Sequence, residues 1–448
     1  KETSPEDIEG MVKANGILTS RGGMTSHAAV VARGMGKCCV AGAGDIKVDE
    51  SSKRFFVDDR VFNEGDYISL NGSSGDVYAG VVETEDAHLS EEFMMLMEWS
   101  DEFRELGVYT NADTPHDSEV ALDFGAEGIG LCRTEHMFFE SGRITSVREM
   151  IVADSKKKRK KALDKLFPYQ KDDFKGIFKV MKDKDVTIRL LDPPLHEFLP
   201  QNDRDIKALA DELSIPVEKL KRTISELEEM NPMLGHRGCR LGISYPEIYK
   251  MQVKAIITAA LEVKEEEGFD VKTDIMIPLV GSEKELAILR DKAQEVAEEL
   301  IDESHTEVEY TIGTMIEIPR AALLADQIAR HADFFSFGTN DLTQMTYGFS
   351  RDDAGKFINE YLDNEIFAKD PFAVLDQEGV GKLIEMAVEL GRKEKPELKV
   401  GICGEHGGEP SSIDFCHRTG LDYVSCSPYR VPIARLAAAQ SAINKNNE

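Results

Sequence analysis

The sequence is poor in cysteine, and its cysteines are not arranged as a disulfide framework or a metal cluster. The 448 residues include 7 Cys, an odd number, and only Cys38 and Cys39 are adjacent. Neither a CxxC nor an HExxH pattern occurs, which excludes the usual spacing of zinc ligands. Scattered thiols of this kind are typical of a reducing compartment, and we expect a cytoplasmic location.

Long apolar runs and an excess of positive charge are also missing. No apolar stretch approaches the ~18 residues of a membrane span, and no secretory signal occurs. The formal net charge is -29, so the long-range field of the protein repels phosphate. We therefore expect neither a nucleic acid nor a membrane as a partner. Any bound phosphate must be held by local features such as helix N-termini, paired arginines or a divalent cation.

Differences in composition and hydrophobic pattern divide the chain into segments. Residues 1–84 are rich in Gly and Val and carry alternating patterns such as GDYISLNG and DVYAGVV, which predict a small α/β swivelling domain. Residues 85–106 are acidic with an apolar side at helical spacing. We interpret them as a linker helix or, equally, as the first helix of the next domain. Residues 107–448 form that second domain.

The second domain alternates short apolar strands with longer helical patterns. The strand candidates are GVYTNAD, GIGLCRTE, VTIRLLD, IMIPLV, YTIGTMIEIP, FFSFGTND, KVGICGE and a shorter one near GHRGCRLGI. About eight strand–helix units in about 340 residues predict a (β/α)8 TIM barrel, and therefore an α/β fold overall. An open doubly wound sheet is the alternative, because periodicity alone does not separate the two folds.

Polar residues stand where these candidate strands end, which in a barrel is the active-site face. They are Arg133, Glu135, Arg189, Asp192, Arg237, Arg240, Glu317, Asn340, Asp341, Cys403 and Glu405. Arginines follow the early strands and carboxylates follow the later ones. A single arginine at such a place is usually a structural ion pair, but several at one mouth of so acidic a protein favour a bound anion.

Two of the later strand ends predict a cation site. Glu317 and Asp341 end the sixth and seventh candidate strands. Hard oxygen ligands from neighbouring strands, completed by water and a substrate oxygen, suit Mg²⁺. Hydrogen bonding to barrel loops is the alternative role. Cys403, between glycines at the end of the last candidate strand, is either a small core residue or a general acid or base.

One histidine near the N-terminus follows a glycine loop. In RGGMTSHAAVVARGMG, His27 lies in the first turn of a predicted helix, with Thr25 or Ser26 as the N-cap. Backbone N–H groups and the helix dipole favour an anion there, and they keep the imidazole neutral and therefore nucleophilic. His27 is thus either a nucleophile that accepts a phosphoryl group or a cap of its own helix, and local chemistry leaves both roles open.

These motifs together resemble the enzymes that use phosphoenolpyruvate (PEP). GGMTSHAAVVARGMGKCCVAG is similar to the phosphohistidine motif of the pyruvate, phosphate dikinase family. The stretches that resemble the pyruvate-binding barrel of that family are GLCRTEHMFF, NPMLGHRGCRLG, GTMIEIPRAALLADQIA, FFSFGTNDLTQMTYGFSRDD and GICGEHGG. Related PEP synthases and the enzyme I of the sugar phosphotransferase system typically carry Arg where this chain has Met24. KCCVAG also favours the dikinases.

The resemblance implies a role for each motif. His27 would be the phosphorylated nucleophile, and Cys403 would deliver a proton to C3 of the enolate. Glu317 and Asp341 would hold Mg²⁺. The residues implied to bind the phosphoryl and carboxylate groups or to line the site are Arg133, Arg189, Arg351, Gly338, Thr339 and Asn340. Thr25 stands where plant members of the family carry a regulatory phosphorylation site.

The resemblance also implies phosphoryl transfer between His27 and pyruvate, which forms or consumes PEP. The family enzyme has an N-terminal ATP-grasp domain. This chain begins with Lys and has no glycine-rich nucleotide loop, so we expect a fragment without that domain. ATP and phosphate would act through the missing domain, and a homodimer is the usual state of the family. The alternatives are an enzyme-I-like phosphocarrier, a PEP synthase, or a regulatory or inactive fragment.

Overall fold

The computed structural model describes most of the chain as two compact units. It describes residues 1–448 apart from 4–7, 24–25, 27, 30–31, 33–36, 51, 73, 84–90, 140–141, 230 and 446–448. The first unit comprises Lys1–Met94 with Ala354–Asn359, and the second comprises Met95–Asp353 with Glu360–Glu448. The boundaries expected at residues 84 and 106 stay predictions.

The first unit consists of short strands around a small core. Helix Ile8–Lys13 precedes β1 (Gly16–Leu18), which pairs in parallel with β2 (Cys38–Val40). An antiparallel sheet contains β3 (Lys47–Asp49), β4 (Arg54–Val57) and β5 (Arg60–Asn63), and a hairpin contains β6 (Ile68–Asn71) and β7 (Asp76–Ala79). The strands β6 and β7 coincide with the alternating patterns in the sequence. Met11, Ile17, Ala28 and Ala32 form the buried cluster of this unit.

Eight parallel strands of the second unit close into a barrel, which confirms the predicted TIM fold. They are β8 (Gly107–Asn111), β9 (Ile129–Arg133), β10 (Asp185–Arg189), β11 (Lys272–Ile277), β12 (Glu309–Ile316), β13 (Phe334–Phe337), β14 (Lys399–Ile402) and β15 (Tyr423–Cys426). Each strand pairs with the next along the chain, and β15 pairs with β8. This closure excludes the open doubly wound sheet, because such a sheet has two edge strands with only one neighbour each.

One strand prediction is wrong, and its correction lowers the number of each later strand by one. GHRGCRLGI contains the helix Gly238–Ser244, which lies in the connection from β10 to β11. The eighth strand is β15, whose four buried residues are too few to produce a recognisable periodic pattern. Glu317 and Asp341 therefore follow the fifth and sixth strands of the barrel. Cys403 follows the seventh strand rather than the last.

The barrel strands are buried on both faces, which explains their continuous apolar runs. In β11, Ile275 and Ile277 belong to the large core shared with the surrounding helices. Met276 belongs instead to a second cluster with Leu131, Met315, Phe334 and Cys403. Because successive side chains of a strand point to opposite faces, this second cluster lies inside the barrel.

Helices of the second unit form the outer layer of the barrel. The longest are Lys156–Met181, Pro246–Glu267 and Glu283–Ser304. The other helices from residue 91 onward are Glu91–Phe103, Pro115–Asp123, Ile144–Ile151, Asp203–Glu212, Val217–Leu227, Gly238–Ser244, Pro319–Leu323, Ala325–Ala329, Thr339–Tyr347, Arg351–Ala354, Ile358–Asp363, Val380–Glu394, Pro410–Thr419 and Val431–Lys445. Within the described ranges, no helix is long and apolar enough to cross a membrane.

The segment interpreted as a linker contains the helix Glu91–Phe103, and one arginine of the barrel unit binds its second half. Arg435 Nη2 lies 2.5 Å from Asp101 Oδ2 and donates to the carbonyl of Met97 at 3.2 Å. Its Nη1 donates to the carbonyl of Phe124 at 2.9 Å. The arginine thus fastens this part of the helix to the C-terminal helix and to the loop after Pro115–Asp123.

Candidate functional site

Strand pairing brings the predicted site residues to one end of the barrel. Arg133 and Arg189 are direct partners at the ends of β9 and β10. Glu317 follows β12 directly, and Cys403 follows β14 directly. The helix Thr339–Tyr347 begins two residues after β13 and carries Asp341 in its first turn. Since the carboxyl ends of parallel strands share one face, these side chains surround one mouth.

Two buried arginines lie between carboxylates at this mouth. Arg189 Nη1 lies 3.0 Å from Asp192 Oδ2, and Arg189 Nη2 donates to Glu135. Arg237 Nη2 lies 2.5 Å from Asp192 Oδ2, and Arg237 Nη1 lies 3.2 Å from Asp341 Oδ1. Burial alone lowers the pKa of both guanidinium groups, but the neighbouring carboxylates raise it above its ordinary value. Both arginines therefore stay charged.

The strand-end interpretation is wrong for Arg240. Its Nη1 donates to the carbonyls of Leu234 at 3.0 Å and Gly235 at 2.7 Å. The side chain therefore stabilises the loop before the helix Gly238–Ser244 and does not join the cluster of charges. Arg237, the residue before this helix, does not end a strand either, but its side chain does join the cluster.

Glu317 has one bound carboxylate oxygen and one oxygen without a partner. The N–H of Leu279 donates to Oε1 at 2.6 Å, whereas Oε2 is buried with no hydrogen bond among the described residues. Leu279 has φ 61°, a left-handed conformation that is uncommon outside glycine. The backbone is therefore strained at the residue whose N–H binds Glu317. A Cβ on Gly338 would lie 2.6 Å from Oε2, so any larger residue at position 338 would force this oxygen to move.

The charges of the mouth fit a divalent cation beside Glu317 and Asp341. Among the described residues of the buried cluster around Arg189 and Arg237, four carboxylates face these two guanidinium groups: Glu135, Asp192, Glu317 and Asp341. Burial, together with the charges of Asp341 and Asp192, raises the pKa of Glu317 well above its ordinary value. The charges of Arg237 and Arg189 act in the opposite direction but offset only part of this rise. A cation beside Glu317 would offset more of it, and hard carboxylate oxygens are the ligands that Mg²⁺ prefers.

Any such cation has few protein ligands. In the part of the chain that the structure describes, no group of three or more His, Cys, Asp or Glu side chains is arranged to hold a metal ion. The two carboxylates would therefore be completed by oxygens that do not come from these residue types. This arrangement leaves coordination positions for a substrate.

Cys403 lies inside the barrel at the same end. Its backbone N–H donates to the carbonyl of Phe337 at 3.1 Å, and its own carbonyl accepts from Asn111 Nδ2 at 3.2 Å. Burial raises the pKa of the Cys403 thiol to about 11. The thiol is therefore protonated at neutral pH, which suits a group that donates a proton.

His406 is buried and holds Thr339 in position, and the sequence analysis did not single it out. His406 Nε2 donates to the carbonyl of Pro371 at 2.9 Å, and His406 Nδ1 accepts from the hydroxyl of Thr339 at 2.7 Å. Burial lowers the pKa of His406, so the imidazole is neutral and can make both bonds. Its only sequence signal is its place within the glycine-rich GICGEHGG. The adjacent Asn340 has a buried Oδ1 without a partner among the described residues.

The other two predicted arginines, Arg133 and Arg351, lie outside the buried ion-pair cluster that is described above. Arg133 Nη1 lies 3.6 Å from Asp113 Oδ2, and the Arg133 side chain is 28% exposed. Arg351 begins the helix Arg351–Ala354, and its backbone N–H donates to Gln344 Oε1 at 2.8 Å. The described hydrogen bonds of Arg351 thus fix its backbone. His27 and Thr25 lie outside the described residues, so their roles rest on the sequence alone.

Comparison with known protein families covers both parts of the chain. The profile of the PEP-utilising enzyme, PEP-binding domain matches residues 87–443, and that of the PEP-utilising enzyme, mobile domain matches residues 1–75. The chain belongs to the PEP-utilising enzyme family.

Within that family, the chain is similar to pyruvate, phosphate dikinases. It is 60% identical over 443 residues to the enzyme of Clostridium symbiosum, covering 99% of this chain and 51% of the relative. It is 57% identical over 443 residues to that of Giardia intestinalis, covering 99% and 50%. The chloroplastic pyruvate, phosphate dikinase 1 of Arabidopsis thaliana is 57% identical over 444 residues, with 99% and 46% covered. The chain thus spans about half the length of the curated relatives it matches.

Proposed function

We propose that this chain transfers a phosphoryl group between His27 and pyruvate, as the pyruvate half-reaction of a pyruvate, phosphate dikinase. The observation that carries the proposal is the set of buried polar atoms around the mouth that have no partner among the described residues. They include Glu135 Oε2, Arg189 Nε, Glu317 Oε2 and Asn340 Oδ1. Buried donors and acceptors are normally satisfied, so a cluster of exceptions of both kinds favours a small anionic ligand with its counter-ion.

The arginines bind and orient the ligand in this proposal. Arg189 is held on two sides by Glu135 and Asp192, so its guanidinium is fixed before the ligand arrives. Arg133 and Arg351 offset the charge of the phosphoryl group in transit. Gly338, Thr339 and Asn340 line the site at the start of a helix, where backbone N–H groups favour an anion.

Glu317 and Asp341 are the residues that would hold Mg²⁺. Bound there, the cation would supply the Lewis-acid charge that favours an enolate over a ketone. Arg237 fixes Asp341, and the N–H of Leu279 fixes Glu317, so both carboxylates are positioned without reorganisation.

Cys403 moves the proton in this scheme. Toward pyruvate, the P–O bond of PEP breaks, an N–P bond to His27 forms, and the enolate takes the thiol proton of Cys403 at C3. In the reverse direction, the minor thiolate form of Cys403 removes a methyl proton of pyruvate. The enolate oxygen then attacks the phosphorus of phosphohistidine, so that an O–P bond forms as the N–P bond to His27 breaks.

Other parts of the proposal concern the larger enzyme. Residues 1–84 would be the phosphohistidine domain, 85–106 a linker and 107–448 the PEP-binding barrel. ATP and phosphate would load His27 through a nucleotide-binding domain such as the dikinase family has. A cytoplasmic homodimer and control through Thr25 are proposed on the same family basis.

Labelling with PEP tests the central step. Incubation of the chain with PEP labelled in the phosphoryl group and Mg²⁺ should attach label that is lost in acid and kept in base. His27→Ala should remove the label, whereas His116→Ala, a change of an exposed histidine on the helix Pro115–Asp123, should not. Undiminished labelling of His27→Ala would show that another residue is the nucleophile. Release of the label to a small acceptor protein but never to pyruvate would favour the phosphocarrier.

Replacement of Glu317 tests the cation site. Glu317→Gln keeps the size of the side chain but removes a charge that a divalent cation needs, so we expect a loss of at least about 10²-fold in PEP-dependent labelling that no Mg²⁺ concentration restores. Glu299→Gln, a change of an exposed residue on the helix Glu283–Ser304, is the control. Labelling by Glu317→Gln at the unmodified rate would contradict the assignment.

A further inference from the structure

One carboxylate at the rim of the mouth is shared between an arginine and a histidine. Asp113 follows β8, and its Oδ1 accepts the backbone N–H of Arg133 at 2.6 Å. Its Oδ2 lies 3.6 Å from Arg133 Nη1 and 2.7 Å from His136 Nδ1. The side chain of Asp113 is only 13% exposed. Arg133 and His136 therefore face the same partly buried charge.

His136 is fixed in place but open to solvent on its outer side. It is the first residue of the 3-10 helix His136–Phe139, in which Met137 and Phe138 are buried in the core. Its own side chain is 55% exposed. The imidazole thus stands on an anchored turn beside Arg133, where it contacts the carboxylate and can exchange protons with water.

The charges around His136 come from three neighbouring segments. Asp113 faces it from the loop after β8, Arg133 from the end of β9 and Glu135 from the turn between β9 and the 3-10 helix. Burial by itself lowers the pKa of His136, and Arg133 lowers it further. The hydrogen bond with Asp113 and the charges of Asp113 and Glu135 outweigh both and raise it above its ordinary value. The same pairing holds the pKa of Asp113 below its usual range against the effect of burial.

We propose that His136, acting through Asp113, is a positioning residue that frees the guanidinium of Arg133 for the phosphoryl group of PEP. An imidazolium at His136 neutralises the Asp113 carboxylate, so Arg133 is not drawn into a closed ion pair with it. When the imidazolium is lost, Asp113 competes with the ligand for Arg133, and the mouth also loses one positive charge. The inference rests on the proposed function, because it takes Arg133 as a phosphoryl-binding residue.

The proposal predicts that the affinity for PEP depends on pH in part through the protonation of His136. As pH rises through the raised pKa of His136, the imidazolium disappears and PEP should bind more weakly. Across the range from about pH 6 to about pH 9, we expect His136 to contribute about a fivefold loss of affinity, the scale of a charge pair at a partly exposed site. PEP also titrates in this range, so the contribution is the difference between the wild-type chain and a variant.

The variants separate charge from hydrogen bonding. His136→Asn retains an N–H donor near the position of Nδ1 but cannot be charged, and His136→Ala removes both. His116→Asn is the matched control, because His116 is exposed on the helix Pro115–Asp123 and makes no described ion pair. PEP binding would be measured by calorimetry with Mg²⁺ present. The rate of PEP-dependent labelling against PEP concentration would give the half-saturation concentration (KM) and the limiting rate constant (kcat) separately.

We expect His136→Asn to bind PEP about fivefold more weakly than wild type at low pH and equally at high pH, with kcat little changed. His136→Ala should be weaker than wild type at every pH. Wild-type affinity and pH profile in His136→Asn would overturn the proposal. A fall in kcat alone would also overturn it, because a positioning role for a binding residue acts on KM.

A second measurement needs no PEP. The proton resonances of the His136 imidazole should titrate at higher pH in wild type than in Asp113→Asn, and an unchanged titration would overturn the pairing itself. Should the wild-type chain fail to bind PEP while this titration behaves as expected, the proposed function fails and the pairing stands. Should PEP bind normally to every variant, the proposed function stands and the inference fails.

Discussion

At the scale of single residues, the mouth depends on individual contacts that hold its polar side chains in place. Glu317 and Asp341 were predicted from their places after strands, and the structure brings both to the cluster around Arg237. Leu279 and His406 were not predicted. Leu279 acts through its backbone N–H and His406 through a buried hydrogen bond to Thr339. A one-dimensional pattern does not encode contacts of either kind, because both join segments distant in sequence.

Gly338→Ala should damage the cation site without a change of charge. The added Cβ would lie 2.6 Å from both Glu317 Oε2 and Met315 Sδ, so Glu317 must move. We expect Mg²⁺ affinity to fall about tenfold or more, and stability to fall by about 1–3 kcal/mol from overpacking. Titration of Mg²⁺ in the labelling assay and a urea unfolding curve measure the two effects.

Gly281→Ala is the matched control at the same end of the barrel. Its Cβ would meet Ile318 Cδ1 at 3.6 Å and Glu285 Oε2 at 3.7 Å, which are ordinary contact distances. Equal Mg²⁺ affinity in the two variants, whether normal or reduced, would contradict the special role of Gly338.

At the scale of elements, an ionic row joins two long barrel helices. Lys171, Lys175 and Lys179 of the helix Lys156–Met181 alternate with Glu262 and Glu266 of the helix Pro246–Glu267. Distances within the row run from 2.5 Å between Lys175 Nζ and Glu266 Oε1 to 3.1 Å between Lys179 Nζ and Glu266 Oε2. Each helix supplies one sign of charge at a spacing of about one turn, so the row favours this pairing of helices.

Glu266→Gln should lower the urea midpoint slightly at low salt and not at high salt, because exposed pairs are screened. Hydrogen bonds from Lys175 and Lys179 hold the pKa of Glu266 below its ordinary value. Its contribution is therefore present above the ordinary glutamate pKa and is lost as pH falls through the lowered pKa. The difference from wild type should vanish in acid.

Glu299→Gln, which removes no described ion pair, is the control. A difference that is independent of salt and pH would mean that the row does not act through charge.

At the scale of the whole molecule, the two units carry different parts of the proposed chemistry. The proposed nucleophile His27 belongs to the sequence of the first unit, whereas Cys403 and the arginine cluster belong to the second. The net charge of -29 makes an anionic substrate unfavourable at long range, so the local arginines must overcome the general field.

This division predicts opposite effects of two variants. Cys403→Ala should abolish the exchange of pyruvate methyl protons with solvent, because no other group is proposed to take the proton. His27→Ala should retain that exchange and lose labelling by PEP. Proton exchange followed by NMR in deuterated solvent, beside the labelling assay, gives both results. Loss of exchange in His27→Ala, or its survival in Cys403→Ala, would contradict the division.

The amino-acid sequence by itself determined the alternation of strands and helices, seven of the eight barrel strands and the residues that follow them, whereas the closure of the sheet came from the structure. It could do so because parallel strands buried on both faces are continuous apolar runs, and because their carboxyl ends share one face. Tertiary structure decided what those residues contact. It replaced the strand near GHRGCRLGI with β15, moved Arg240 away from the cluster and set the strained N–H of Leu279 against Glu317. Short strands and backbone contacts depend on partners that are distant in sequence. Those partners come together only when the strands have closed into a barrel.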